Sequence, residues 1–196
     1  YYCVLLSFCK ILFNDQSIRS FFIGVKKEYI NFCMYNFEEK IFFGVYEKSD
    51  WIIKETFMRC ETFNSILDLK NELIRTVNLS SQNAKLELLK SHPELTGKVG
   101  IKKLTKESLN EQKSAGLNEC TLDEYNELHT LNENYNKKFR FPFIIAVTGL
   151  NVTKIIKSFR SRILNEYDEE LHEAIKQVHK IASIRIDQKI KNMENI

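Results

Sequence analysis

Three places in this 196-residue chain combine residue types and spacings that can do chemistry. The first is His92, which directly precedes Pro93. A residue before proline is pushed out of the helical region, so His92 should sit where a helix ends and the chain turns. There an imidazole either exchanges protons with a ligand or rests against the negative end of the helix. The second place is Ser108, Glu111 and Gln112, three and four residues apart and so on one helix face. Ser-x-x-Glu is also a capping-box pattern, and the local sequence does not decide between a cap and a polar site. The third is Arg185. Adding seven residues to the step from Leu171 to Val178, or four to Ile181, lands on it, so it continues an apolar helical stripe. A guanidinium there must find an acceptor or reach water. It either snorkels past the helix end, pairs with Asp or Glu, or points into a pocket that holds an anion.

The elements that must position these groups read as helices. Asn36 is placed to cap a helix that turns Ile41, Phe42 and Val45 to one side. Ser49 precedes a short helix with Trp51, the only tryptophan. Ser65 opens a helix with Ile66, Leu69, Leu73 and Val77 on one face. Ser81 opens another through Leu86 and Leu89, and Pro93 stops it. A short helix runs over about 105–114, with Gly116 suited to its C-terminal cap. Thr121 with Glu124 forms a capping box before the stripe Tyr125, Leu128 and Tyr135. Asn151 opens a helix through Ile155, Phe159 and Ile163, and the last helix carries Leu171, Ala174, Val178 and Ile181. Only 139–147 (FRFPFIIAV) breaks the pattern. It is apolar, aromatic and interrupted by Pro142, which suits a buried extended segment. The expected fold is an all-α, single-domain bundle of about eight helices with that one extended piece.

Composition narrows the function. Lys plus Arg number 29 against 26 Asp plus Glu, a balance without the basic footprint of a nucleic-acid binder. No apolar run is long enough to cross a bilayer. The five cysteines are odd in number and include no CxxC pair, which argues against a disulfide framework or structural zinc. Cys60 and Cys120 read as buried or half-buried thiols. His172 and His179 stand a heptad apart, wider than helical metal pairs, and His129 stands alone, so no metal site is expected. Neither a glycine-rich phosphate loop nor a nucleophile elbow is present. The periodic pattern begins near Met34, so 34–196 is expected to fold and 1–33 to lie outside the domain. A targeting segment competes for 1–33, but Lys10 interrupts its apolar start and no small-residue cleavage site follows.

The run His92-Pro93-Glu94-Leu95, then Ser108-x-x-Glu111-Gln112-x-x-Ala115-Gly116-Leu117, then Leu131-Asn132-x-x-Tyr135-x-x-Lys138-Phe139-x-Phe141-Pro142-Phe143, resembles one family. It is that of the 2-oxo-4-hydroxy-4-carboxy-5-ureidoimidazoline (OHCU) decarboxylases of urate degradation. Glu47-Lys48-Ser49-Asp50-Trp51, Arg162, Asn165 and Arg185 extend the resemblance over 37–185. It implies an all-α homodimer that converts OHCU to (S)-allantoin without a cofactor or metal. It implies His92 as the acid/base residue, with Glu111 and Arg185 in the catalytic set. Pro93, Ser108, Leu109, Asn110, Glu111 and Gln112 would line the substrate. So would Phe143, Ile144, Ile145, Ala146 and Val147, through backbone groups.

The chemistry of this reaction fits such a set. Loss of carbon dioxide leaves an electron pair that the ring C=N of OHCU can accept, so neither pyridoxal nor thiamin is needed as a sink. On this reading Arg185 orients an anionic or carbonyl oxygen, and Glu111 and Gln112 bind the ureido and hydroxyl groups. His92 moves the proton, with a pKa near operating pH. One departure stands out. The family pattern reads Phe-Gly-Phe-Pro-Phe, and Arg140 replaces its glycine, so Arg140 either takes an ordinary conformation or strains the chain by roughly 1 kcal/mol or more. Some members end in a Ser-Lys-Leu peroxisomal address. This chain ends Glu194-Asn195-Ile196, so a peroxisome is implied by resemblance only, with cytoplasm as the alternative. A helical interaction module that kept the fold is the competing function. The enzyme needs His92, Ser108, Glu111, Gln112 and Arg185 in one pocket, whereas the module has no such need.

Overall fold

The computed structural model describes residues 35, 37–95 and 105–194. Among them are seven α-helices: α1 (Trp51–Arg59), α2 (Ile66–Leu79), α3 (Gln82–Lys90), α4 (Lys106–Ser114), α5 (Leu122–Phe139), α6 (Val152–Arg162) and α7 (Tyr167–Glu194). None is long and apolar enough to cross a membrane. Local chemistry explains most helix starts. The side chains of Ser65, Ser81, Thr105, Thr121 and Asn151 each accept a backbone N–H three residues on, satisfying a donor the helix itself leaves open. Thr121 and Glu124 close the expected capping box. Ser108 is not a cap. Thr105 holds that position, and Ser108 lies inside α4, buried. Gly116 takes φ 76° just past α4, the left-handed stop its type allows.

The expected first helix is a single 3₁₀ turn, Glu39–Phe42. Positive φ at Gly44 (83°) and at Lys48 (48°) breaks helical geometry there, and Phe42, Val45 and Tyr46 are buried without an α-helix. Asn36 and the segment 1–33 lie outside the described residues. Asp50, not Ser49, stands at the N-cap of α1, and its Oδ1 accepts the Gly44 N–H at 2.7 Å.

The core joins α1 to α2, α5 to α6 and α3 to α7. Its densest part is aromatic. Phe143 stacks on Phe159 with centroids 3.8 Å apart, and Tyr135 meets Phe141, Phe143 and Phe159 edge-on. These rings hold 141–147 extended and almost wholly buried, while Phe139, expected in that segment, closes α5. A buried segment outside any helix or sheet must find other partners for its backbone. Arg162 Nη1 donates to the Ile144 carbonyl at 2.7 Å, and the Ala146 N–H donates to Gln177 Oε1 at 3.0 Å. Arg162 also lies over the Phe143 ring, 4.5 Å from its centroid, and pairs with the fully buried Glu170 at 2.5 Å. Tyr135 and Asn165 donate to the same carboxylate.

Arg140 takes the left-handed conformation, φ 63° and ψ 19°, because it follows the last turn of α5 and its N–H donates to the Asn136 carbonyl at 3.0 Å. That is a glycine's place. Left-handed geometry costs a side-chain residue about 1–2 kcal/mol, partly offset by the freedom glycine has when unfolded. Arg140→Gly should therefore raise unfolding stability by about 0.5–1 kcal/mol, read as a higher urea midpoint.

Two enclosed histidines make stability depend on pH. His179 Nδ1 and the Tyr46 hydroxyl share a hydrogen bond of 3.0 Å, and burial lowers the histidine pKa to about 4. His92 is lowered to about 4 by the same cause. The unfolded chain takes up these protons below about 6.5 and the folded chain only near 4, so stability is intact above pH 6.5 and falls as pH drops toward 4. Each histidine contributes at most about 1.4 kcal/mol per pH unit in that window. Denaturant titrations at pH 7, 6 and 5 should show the fall, and His179→Gln should flatten it.

Candidate active site

A small open cleft lies between the end of α3, the face of α4, the 143–147 segment and α7. Among its lining residues are His92, Pro93, Ser108, Glu111, Gln112 and Arg185, which the sequence places up to 93 positions apart. Phe143, Ile144, Ile145 and Val147 form another wall, and Leu95 and Ile181 add apolar surface. Leu109, Asn110 and Ala146 are not in the lining. The 100° step of α4 turns Asn110 to solvent, and the Ala146 amide is taken by Gln177.

Arg185 is 3% exposed and every one of its N–H groups has an acceptor. Nε and Nη2 donate to the two oxygens of Glu111 at 2.7 and 2.8 Å, a bidentate pair. Nη1 donates to Glu47 Oε2 at 2.8 Å and to the Gly44 carbonyl at 3.2 Å. Nη2 also donates to Ser108 Oγ at 3.2 Å. Of the alternatives open in the sequence, pairing with carboxylates is the one realised. The donors that a grip on an anionic substrate oxygen would use are engaged by protein acceptors in this arrangement. Two carboxylates and one guanidinium leave this cluster with one net negative charge.

Glu47 is the site residue that the chemical reading of the sequence passed over. It is 2% exposed, and its Oε2 accepts the Ser108 hydroxyl at 3.0 Å as well as Arg185. Burial opposes its charge, yet hydrogen bonds from Thr105, Arg185 and Ser108 hold its carboxyl below the usual range. Only its place in Glu47-Lys48-Ser49-Asp50-Trp51, and the demand of a core-facing Arg185 for a buried acid, signalled it.

His92 is 7% exposed and sits two residues past the end of α3, as Pro93 requires. Its Nδ1 lies 2.9 Å from the Leu88 carbonyl. A carbonyl only accepts, so Nδ1 carries the hydrogen and Nε2 carries the lone pair. Burial lowers the pKa to about 4, opposed by the Leu88 carbonyl and the charge of Glu47. The expectation of a pKa near operating pH is thereby corrected. The resting ring is neutral and offers a proton acceptor. The turn around it is braced. Gln112 donates to the Glu94 carbonyl at 3.1 Å, Asn132 to the Leu95 carbonyl at 2.8 Å, and Asn136 to the Glu94 carboxylate at 2.5 Å. Among the described residues, no three of His, Cys, Asp and Glu sit close enough to hold a metal ion.

Residues 36–187 match the family model described as OHCU decarboxylase. The chain is 38% identical over 144 residues to the 2-oxo-4-hydroxy-4-carboxy-5-ureidoimidazoline decarboxylase of Halalkalicoccus jeotgali, covering 74% of this chain and 80% of that protein. It is 36% identical over 152 residues to the uric acid degradation bifunctional protein of Bacillus sp. strain TB-90. That match covers 78% of this chain but spans only 30% of the length of that relative. Among solved structures, the crystal structure of (S)-allantoin synthase superposes with a TM-score of 0.61 at 28% identity, over 77% of this chain and 49% of that one. With most of its length inside the family model and its fold shared with a solved relative, the chain belongs to the OHCU decarboxylase family.

Proposed function

We propose that the chain decarboxylates OHCU to carbon dioxide and (S)-allantoin. The observation that carries this reading is the convergence of His92, Ser108, Glu111, Gln112 and Arg185 on one cleft. A buried acid–arginine pair beside a neutral imidazole costs desolvation, which an interaction module gains nothing by keeping. A homodimer, and a peroxisomal or cytoplasmic address, are proposed with it on the family resemblance.

OHCU carries a hydroxyl and a carboxylate on C4 and the ureido group on C5. Breaking the C4–carboxylate bond releases carbon dioxide and sends its electron pair through C5 to the ring nitrogen. To reach allantoin, C5 and that nitrogen each gain a proton and the hydroxyl loses one. The lone pair on Nε2 of His92 takes the hydroxyl proton and returns it to C5. The ring nitrogen takes its proton from solvent, and the sum is one proton consumed per carboxylate lost. Delivery from one fixed imidazole reaches one face of C5, which yields a single enantiomer. Glu111, at the cleft edge, and Gln112 bind the ureido and hydroxyl groups, while the 143–147 wall holds the ring in place.

OHCU generated in place from urate with urate oxidase and hydroxyisourate hydrolase, followed by circular dichroism, tests this. Faster decay than without protein, ending in (S)-allantoin, is expected. Racemic allantoin at the uncatalysed rate, from folded protein, would overturn the reading in favour of an interaction module. His92→Gln should lose about 10²–10⁴-fold in rate while staying folded. The rate should be level between pH 6 and 8 and fall below about pH 5, because the pKa near 4 leaves His92 neutral until then.

A further inference from the structure

Two carboxylates share Arg185, and they are not equivalent. The Glu111 side chain is 18% exposed and lines the cleft. The Glu47 side chain is 2% exposed and sits behind Arg185, outside the lining. Glu47 also touches three of the four elements that supply the cleft. Its Oε2 binds Arg185 of α7 and Ser108 of α4, and its backbone carbonyl accepts the Ser91 hydroxyl at 2.7 Å, next to His92. The chain reverses immediately after it through Lys48 at φ 48°, a left-handed residue tolerated only where its surroundings hold it.

We propose that Glu47 is a positioning residue, the fixed anchor of Arg185 and Ser108, which frees Glu111 to exchange one of its two arginine contacts for substrate. A buried acid has no water to replace a lost partner, so its bond to Arg185 persists. Glu111, at the cleft edge, can turn one oxygen to substrate while the other stays on Arg185, so neither charge is left unpaired. Without Glu47, Arg185 has Glu111 as its one carboxylate and holds it away from the substrate. The kinetic part of this inference rests on the proposed decarboxylation, and the structural part does not.

Two measurements on the intact chain test it, after far-UV circular dichroism has shown each variant folded. The first follows the guanidinium Nη signals of Arg185 by low-temperature NMR. Glu111→Gln should keep them separate, and Glu47→Gln should merge them by freeing the group to rotate. Signals that stay separate in Glu47→Gln, or that merge equally in both variants, would overturn the anchor. The second is OHCU turnover. Glu47→Gln should lower kcat about tenfold to a hundredfold and change KM less than threefold, since a misplaced group costs rate more than binding. A wild-type kcat in Glu47→Gln overturns the inference. If Glu47→Gln does not fold, Glu47→Asp keeps the charge, shortens the reach and should merge the same signals. An unmodified chain that does not decarboxylate OHCU refutes the proposed function, and the NMR comparison still decides the role of Glu47.

Discussion

The constraint on which the site depends is the charge of Arg185. A guanidinium 3% exposed must have all its donors met, because an unpaired buried charge costs far more than a fold's net stability leaves spare. Meeting them draws in Gly44, Glu47, Ser108 and Glu111, from two segments remote in sequence. Removing one partner of such a group typically costs about 3–5 kcal/mol. The 3₁₀ region, α4 and α7 are therefore locked in one arrangement, and the cleft is the space left between them.

A second buried arginine does for the opposite wall what Arg185 does for the first. Arg162 spans Glu170, the Ile144 carbonyl and the Phe143 ring, so an extended segment with no sheet around it is held as firmly as a strand. Tyr135 joins the same carboxylate through its hydroxyl, and burial together with Glu170 drives its pKa upward, so it stays a donor. The two arginines frame the cleft from both sides and are themselves largely spent on structure. On the proposed function, the chemistry falls to the groups with capacity in reserve, the Nε2 lone pair of His92 and the carboxylate of Glu111.

On that proposal the site needs a neutral histidine. The cluster beside it already carries a net negative charge, yet enclosure outweighs that attraction and lowers the imidazole to about 4. A ring poised near neutrality would be half protonated and half unable to accept. A ring held neutral, with its hydrogen committed to the Leu88 carbonyl, presents the same lone pair across the physiological range.

Much of this was written locally in the sequence. The caps at Ser65, Ser81, Thr105, Thr121 and Asn151 act within three residues of themselves, so spacing alone reveals them. The stripe of α7 needs only a periodicity of 3.6, and Pro142 marks the end of helix at 141–147 without outside help. The run of motifs identified the family and, with it, most of the cleft. Other features were decided only when the chain closed on itself. Whether Arg185 pairs or grips an anion depended on Glu47, 138 positions away. Whether Ser108 is a cap or a site residue turned on Thr105 taking the cap first. The first helix gave way to a 3₁₀ turn because Gly44 and Lys48 needed left-handed geometry to bring Glu47 beneath Arg185. The tautomer and pKa of His92 came from a carbonyl and a depth of burial that no local pattern encodes. The sequence by itself determined the helices and the family, because their chemistry is satisfied within a few residues. Tertiary structure alone decided the charge states and partners of the site, because those depend on what long-range packing removes from water.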